Sequence, residues 1–196
     1  AKRRGLPIDR WVIATNRNDI LHRAIGTGRY DTDQVFPTIT PSMDIEVSSN
    51  FERALFDAYD RDGAAVVQLM GEMKQGGFGI SQRALHALRE HFESGRSSDE
   101  QTSATIQNFF ATTGEVLCPH SAVGVKVAEE HLGRSPMITL ATAHPAKFPD
   151  AVAAAIGLRP VLPRWLADLF DREECVTEMP NDLQRMKSLV RERIAL

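Results

Sequence analysis

The main constraint on the fold is the alternation of short apolar runs with helical stretches that end at glycine. Residues 11–14 form an apolar run with a β-branched centre, bounded by Pro7 and Asn16, which predicts a buried strand. Residues 137–140 form a similar run after Pro136 and predict a second strand. Strands that alternate with helices pair in parallel, so we expect an α/β fold with a partial parallel sheet flanked by helices.

Helical patterns fill much of the remaining chain. Ser49 and Ser98 are each followed three residues later by Glu or Gln, which is the spacing of a capping box and predicts a helix start. No run within residues 60–114 alternates in the manner of a strand, so a mostly helical insertion is expected there. The glycine-rich residues 75–79 lack a nucleotide-binding pattern and are expected to form a flexible connection.

These patterns divide the chain into four segments. We expect residues 1–59 to form part of an α/β domain, 60–114 the helical insertion, 115–163 a return to the α/β domain with its last core strand, and 164–196 the C-terminal helices. The two to four strands predicted make a parallel sheet too small to cover both faces. Further sheet is therefore expected from a missing part of the chain or from a partner.

Composition excludes several classes of function. The net charge of −3 argues against nucleic-acid binding, which needs clustered Lys and Arg, and the basic run at residues 2–4 is short and ends at Gly5. No apolar run is long enough to cross a bilayer, and we expect a cytoplasmic protein without a membrane partner. Two cysteines are too few for a disulfide framework or a zinc site, and the histidines lack metal-ligand spacing, so no metal is predicted.

Polar residues follow both predicted strands, where ligands bind in open α/β sheets. Thr15 and Thr142 either contact a ligand there or only satisfy backbone groups. Just beyond Thr142, Lys147 could hold an anion or form a Schiff base, or it could be a surface lysine on the next helix. His144 could join it in the site or bond locally.

A second candidate precedes the helix predicted over residues 121–132. His120 and Ser121 lie beside free backbone N–H groups that could meet an anion. They are not expected to form a catalytic pair, because sequence neighbours seldom point at one another. Cys118 is expected to be a buried small apolar residue rather than a reactive thiol.

Four stretches together resemble one family. They are residues 14–21 (A-T-N-R-N-D-I-L), 41–53 (P-S-M-D-I-E-V-S-S-N-F-E-R), 119–124 (P-H-S-A-V-G) and 140–148 (L-A-T-A-H-P-A-K-F). In content, order and rough spacing they resemble motifs of the threonine synthases, and the resemblance covers the whole chain.

This resemblance implies a pyridoxal-phosphate enzyme of the fold-type II, tryptophan synthase β-like group. Such a lyase converts O-phospho-L-homoserine and water to L-threonine and phosphate in threonine biosynthesis. Thr142 matches the hydroxyl residue that meets the pyridine nitrogen of the cofactor, and residues 1–59 would belong to the cofactor-binding domain. His144 and Lys147 would line the same wall, with Lys147 near the substrate phosphate. Other conspicuous motif positions without an individual role are Ser42, Asp44, Ser49, Asn50, His120 and Ser121.

Two motifs of the family do not occur in this sequence. The Schiff-base lysine of its F-K-D segment is absent, so no catalytic residue is assigned, and the glycine-rich phosphate-binding loop would lie upstream of Ala1. The resemblance therefore implies a C-terminal portion that is inactive without the missing N-terminal part. The alternatives are another fold-type II enzyme, such as a threonine dehydratase, and a non-catalytic interaction module.

Overall fold

A computed structural model describes residues 4–194 of the chain. It divides into two compact units, Ala1–Val161 and Leu162–Leu196. The first unit contains four strands, β1 (Trp11–Thr15), β2 (Arg29–Asp31), β3 (Gly77–Gly79) and β4 (Phe92–Arg96). Its helices are α1 (Ile20–Thr27), α2 (Phe51–Ala58), α3 (Gly63–Met73), α4 (Gln82–Arg89), α5 (Asp99–Thr113), α6 (Pro119–Glu129) and α7 (Pro149–Ile156).

The α/β class with a small parallel sheet is confirmed. Strand β1 pairs in parallel with β4, in a register that runs from Trp11 opposite Phe92 to Thr15 opposite Arg96. Strand β2 pairs antiparallel with β3, with Tyr30 opposite Phe78. The run at residues 11–14 therefore forms the predicted strand, but these residues are partly exposed rather than buried.

The expectation that residues 60–114 contain no strand is wrong, because β3 and β4 both lie there. Strand β4 shows no apolar alternation, since its buried position is Gly95. A Cβ atom at Gly95 would lie 2.7 Å from Cγ1 of Val127 on α6, so close helix packing requires the glycine. Because glycine has no apolar side chain, the pattern of apolar residues could not predict this strand.

Gly95→Ala is expected to lower the free energy of unfolding by about 1–3 kcal/mol, because the new methyl group overpacks the contact with Val127. Chemical denaturation of the purified protein measures the effect. Gly133→Ala serves as control, since a Cβ there meets no atom within 4 Å. Equal midpoints for both variants would contradict the packing argument.

The glycine-rich residues 75–79 are not merely a flexible connection. They contain β3, and Gly77 has a backbone φ of 152°, a value that residues other than glycine rarely adopt. A Cβ atom at Gly77 would lie 2.5 Å from the carbonyl oxygen of Tyr30, so the glycine allows the close pairing of β2 and β3.

Residues 137–140 do not form the predicted last core strand. Within residues 4–194 no strand pairs with them, and Ile138 and Leu140 are 81% and 75% exposed. A strand needs a neighbouring backbone for its N–H and C=O groups, and the described part of the chain provides none here. Residues 158–163 form neither a helix nor a strand.

The largest core is aromatic and aliphatic. Tyr30 stacks between Phe51 and Phe78, at ring-centroid distances of 5.7 and 4.9 Å. Aliphatic side chains from α1, α2 and α4 surround this stack, including Ile20, Leu55, Leu85 and Leu88. A smaller cluster joins α5, α6 and α7 through Ile106, Ala122 and Ala155. The first unit is thus built around two cores that hold α6 beside the parallel strands.

The second unit contains short helical turns and one longer helix. The first of the C-terminal helices expected within residues 164–196 is replaced by two 3₁₀ turns, Arg164–Leu166 and Leu169–Asp171. Helix α8 spans Leu183–Ile194. No helix formed by residues 4–194 is long and apolar enough to cross a membrane.

Candidate functional site

A buried polar network follows the end of β1; we call it the Asn16 network (Asn16, Asn18, Thr38, Thr40 and Asp44). The side-chain amide of Asn16 donates to Oγ1 of Thr38 and Thr40 and to Oδ1 of Asp44, at 2.7–2.9 Å. Asn18 donates to the same Asp44 oxygen at 3.0 Å, and the Thr38 N–H donates to Asp44 Oδ2 at 2.9 Å. These bonds fix the segment between β2 and α2 against the end of the parallel strand.

An ion network supports the same segment. Arg23 on α1 lies 2.8 Å from Asp19 and 2.7 Å from Glu46, a carboxylate that is only 7% exposed. Arg96, at the end of β4, bonds the second oxygen of Asp19 at 2.9 Å. Because the partly buried Arg23 bonds two buried carboxylates at once, the segment that carries Glu46 is held from a second side.

His120 connects α6 to the 3₁₀ turn Pro41–Met43. Its Nε2 accepts a hydrogen bond from the backbone N–H of Ser42 at 3.1 Å, and its ring lies 4.3 Å from the ring of Phe148. His120 is only 7% exposed, and its Nδ1 has no hydrogen-bond partner within the described chain. The imidazole therefore joins residues that are distant in sequence.

The charge state of His120 follows from its surroundings. Burial lowers the pKa of the imidazole below its ordinary value, the positive charge of Lys147 lowers the pKa further, and Asp44 raises it. The first two effects prevail, so the neutral imidazole is favoured at neutral pH.

Ser121, the next residue of α6, holds a different segment. Its Oγ accepts a hydrogen bond from the backbone N–H of Thr142 at 3.2 Å and lies 3.1 Å from Cys118 Sγ. Cys118 is buried, as expected, and it is also the N-cap of α6, with its sulfur accepting from the Ser121 N–H. Thr142 is thus held by its backbone, while its exposed hydroxyl bonds to no residue in the range 4–194.

Lys147 presents an exposed positive charge beside these groups. It ends the 3₁₀ turn Pro145–Lys147, and its Nζ lies 5.8 Å from the centre of the Phe148 ring. Across the described ranges no carboxylate forms an ion pair with it. Its charge is therefore available to an anion that approaches this face.

The structure brings six of the predicted site residues together around the start of α6. We call them the α6 cluster, and they are Ser42, Asp44, His120, Ser121, Thr142 and Lys147. His120 and Ser121 bond to different segments, in agreement with the expectation that they form no catalytic pair.

His144 and Asn50 bond locally instead. His144 caps its own 3₁₀ turn, its Nδ1 accepting from the Ala146 N–H at 3.1 Å. Asn50 takes the N-cap position of α2 without a side-chain cap bond, and its Oδ1 accepts from Arg53 at 2.9 Å. The capping box predicted from Ser49 is therefore wrong, whereas the one from Ser98 to Gln101 is confirmed.

Sequence reasoning missed the part of Thr38 and Thr40 in fixing the site, and it gave Asn16 and Asn18 only as members of the 14–21 motif, without a role in the site. The N-cap of α1 is Asp19. The available signal was the pair of asparagines directly after a buried strand, where polar side chains gather at one edge of the sheet. No group of His, Cys, Asp or Glu in the described ranges is arranged to hold a metal ion.

Comparison with known proteins identifies the relatives of the chain. Residues 121–190 match the family model "Threonine synthase, C-terminal". A threonine synthase from Pseudomonas aeruginosa is 49% identical over 195 residues, which cover 97% of this chain and 41% of that protein. The crystal structure of PLP-bound threonine synthase from Brucella melitensis matches with a TM-score of 0.89 and 54% identity, over 98% of this chain and 42% of that one. The yeast threonine synthase structure matches with a TM-score of 0.82 and 34% identity, over 99% of this chain and 44% of that one.

The fold is thus the α/β arrangement seen in threonine synthases of fold type II. By sequence and structure the chain is a relative of their C-terminal portion, which confirms the resemblance found in its motifs. It spans about two fifths of the length of the relatives it matches.

Proposed function

We propose that this chain forms the C-terminal portion of a cytoplasmic threonine synthase, which converts O-phospho-L-homoserine and water to L-threonine and phosphate. The reaction would break a carbon–oxygen bond to phosphate, and the remainder of the enzyme would supply the lysine that binds the cofactor. The chain alone is then inactive. The observation that carries the proposal is the α6 cluster, which gathers motif residues from three separate segments.

The donors present fit pyridoxal phosphate. The backbone of Thr142 is fixed by its hydrogen bond to Ser121, and its side-chain hydroxyl bonds to no described residue. The hydroxyl is therefore free to bond to the pyridine nitrogen of the cofactor. The cofactor, when bound, withdraws electrons from the substrate. A neutral hydroxyl beside its nitrogen leaves that nitrogen largely unprotonated, unlike an aspartate.

Lys147 would bind the phosphate of the substrate. A lysine ammonium acts as a point charge toward phosphate, and Lys147 has no competing carboxylate in the described chain. His120 is neutral and adds no second positive charge. The Nδ1–H of His120 is buried and has no hydrogen-bond partner in the described chain, so it can donate to a bound ligand. Lys147 therefore orients the substrate by charge while Thr142 contacts the cofactor.

Lys147→Ala is expected to raise the KM for O-phospho-L-homoserine about tenfold or more, because one charge-assisted contact to phosphate is lost. Steady-state kinetics of the full-length enzyme measure this effect. Lys74→Ala is the control, since Lys74 is exposed at the end of α3, outside the α6 cluster. An unchanged KM in Lys147→Ala would remove the lysine from the substrate site.

Product analysis separates this activity from its alternatives. The full-length enzyme is expected to release phosphate and form threonine in equal amounts from O-phospho-L-homoserine. A threonine dehydratase would instead consume threonine and form a 2-oxo acid and ammonia. An interaction module would do neither, and either of these results would overturn the proposal.

A further inference from the structure

Two consecutive residues of α6 fix two segments that are far from each other in sequence. His120 Nε2 accepts from the N–H of Ser42, which is 78 residues away, and Ser121 Oγ accepts from the N–H of Thr142, which is 21 residues away. Successive side chains on a helix point about 100° apart, so one helical turn reaches both segments. Both residues are buried, at 7% and 4% exposure.

The hydrogen bond to Ser42 sets the tautomer of His120. A backbone N–H can only donate, so Nε2 must carry a lone pair and the proton of the neutral ring lies on Nδ1. Protonation of Nε2 would place two donors against each other and break the bond. The charged groups that act on the ring are Lys147 and Asp44. Burial and the charge of Lys147 lower the pKa of His120 by more than Asp44 raises it, so the neutral form is favoured.

We propose that His120 is a positioning residue, which uses its neutral Nε2 to hold the Ser42 turn against the start of α6 and so keeps that turn in register with Thr142. The inference rests on the proposed function, because Thr142 matters only if this site binds the cofactor. His120 bonds to the segment that carries Ser42 and Asp44, and Ser121 bonds to the segment that carries Thr142 and Lys147. His120 acts through these groups and transfers no proton itself.

The alternative role for His120 is packing, because its ring contacts Phe148. Two variants separate the roles. His120→Phe keeps an aromatic ring beside Phe148 and removes the acceptor, whereas His120→Gln loses the ring and can place an amide oxygen where Nε2 lies. Positioning predicts that Phe is the harmful substitution, and packing predicts that Gln is.

The first test measures hydrogen exchange at the Ser42 amide in the full-length protein and needs no activity. Exchange is expected to accelerate about tenfold in His120→Phe, because one hydrogen bond is lost, and to stay within about threefold of wild type in His120→Gln. His86→Phe, at an exposed histidine of α4, is the control. Wild-type protection in His120→Phe, or equal loss in both variants, would overturn the proposal.

The second test measures the pH profile of kcat. His120 has a lowered pKa, so its neutral form still predominates below the ordinary histidine pKa and is lost only when the pH falls through the lower folded-state pKa. The kcat of the wild type is expected to fall as His120 becomes protonated at acid pH. In His120→Gln, which has no imidazole at this position, this part of the fall is expected to be absent. His120→Phe is expected to lower kcat about tenfold at neutral pH with little change in KM. If hydrogen exchange changes as expected but the wild-type enzyme forms no threonine, the proposed function has failed and the positioning contact stands. If kcat falls at acid pH in the same way in wild type and in His120→Gln, the positioning role is overturned.

Discussion

Thr142→Val in the full-length enzyme is expected to lower kcat for threonine formation about 10–100-fold without unfolding the protein. Valine keeps the branched shape and the backbone N–H that donates to Ser121, so the substitution removes only the hydroxyl. Because that hydroxyl bonds to no residue in the described chain, its loss leaves no buried protein group unpaired. The cost should therefore fall on the cofactor contact and on catalysis.

Thr142→Ser is the matched control for this prediction, because it keeps the hydroxyl and is expected to retain most of the wild-type kcat. Phosphate release at saturating substrate gives the rate, and titration of the apoenzyme with pyridoxal phosphate gives the cofactor affinity. Wild-type rate and affinity in Thr142→Val would remove Thr142 from the site.

Asn16→Leu is expected to lower the free energy of unfolding by about 2–4 kcal/mol, the largest stability effect that we predict. Asn16 is only 1% exposed, and its amide donates to Thr38, Thr40 and Asp44. Leucine fills a similar volume but leaves these acceptors, one of them charged, with fewer donors. The segment that carries Ser42 should loosen with them.

Denaturant unfolding of the full-length protein measures the change, and hydrogen exchange between β2 and α2 localises it. Gln34→Leu is the control, since Gln34 is exposed in the same segment. A difference below about 0.5 kcal/mol between the two variants would show that the Asn16 network adds little to stability.

The local elements that sequence predicts best are those whose apolar pattern is complete within a few residues. Strand β1 is found because its apolar run is bounded on both sides. Strand β4 is missed because its buried position is Gly95, which a pattern of apolar side chains cannot register. Residues 137–140 have the pattern of a strand but no pairing partner in the described chain, because propensity cannot supply a neighbouring backbone.

The candidate site depends on contacts that no local pattern contains. Motif resemblance named Ser42, His120 and Thr142, but it gave no reason for them to meet. The structure supplies that reason in two hydrogen bonds that adjacent residues of α6 accept from backbone N–H groups 78 and 21 residues away in sequence. The individual roles of these residues, and the four-segment division of the chain, stay predictions.

The most direct test of the account follows the oxygen of water in the reaction of the full-length enzyme. In water labelled with heavy oxygen, cleavage of the carbon–oxygen bond followed by addition of water places the label in the hydroxyl group of threonine and none in phosphate. Mass spectrometry of both products measures it, and we predict one labelled oxygen per threonine. Label in phosphate with homoserine as the other product would mean simple phosphate-ester hydrolysis, and it would contradict the assignment of this chain to a threonine synthase.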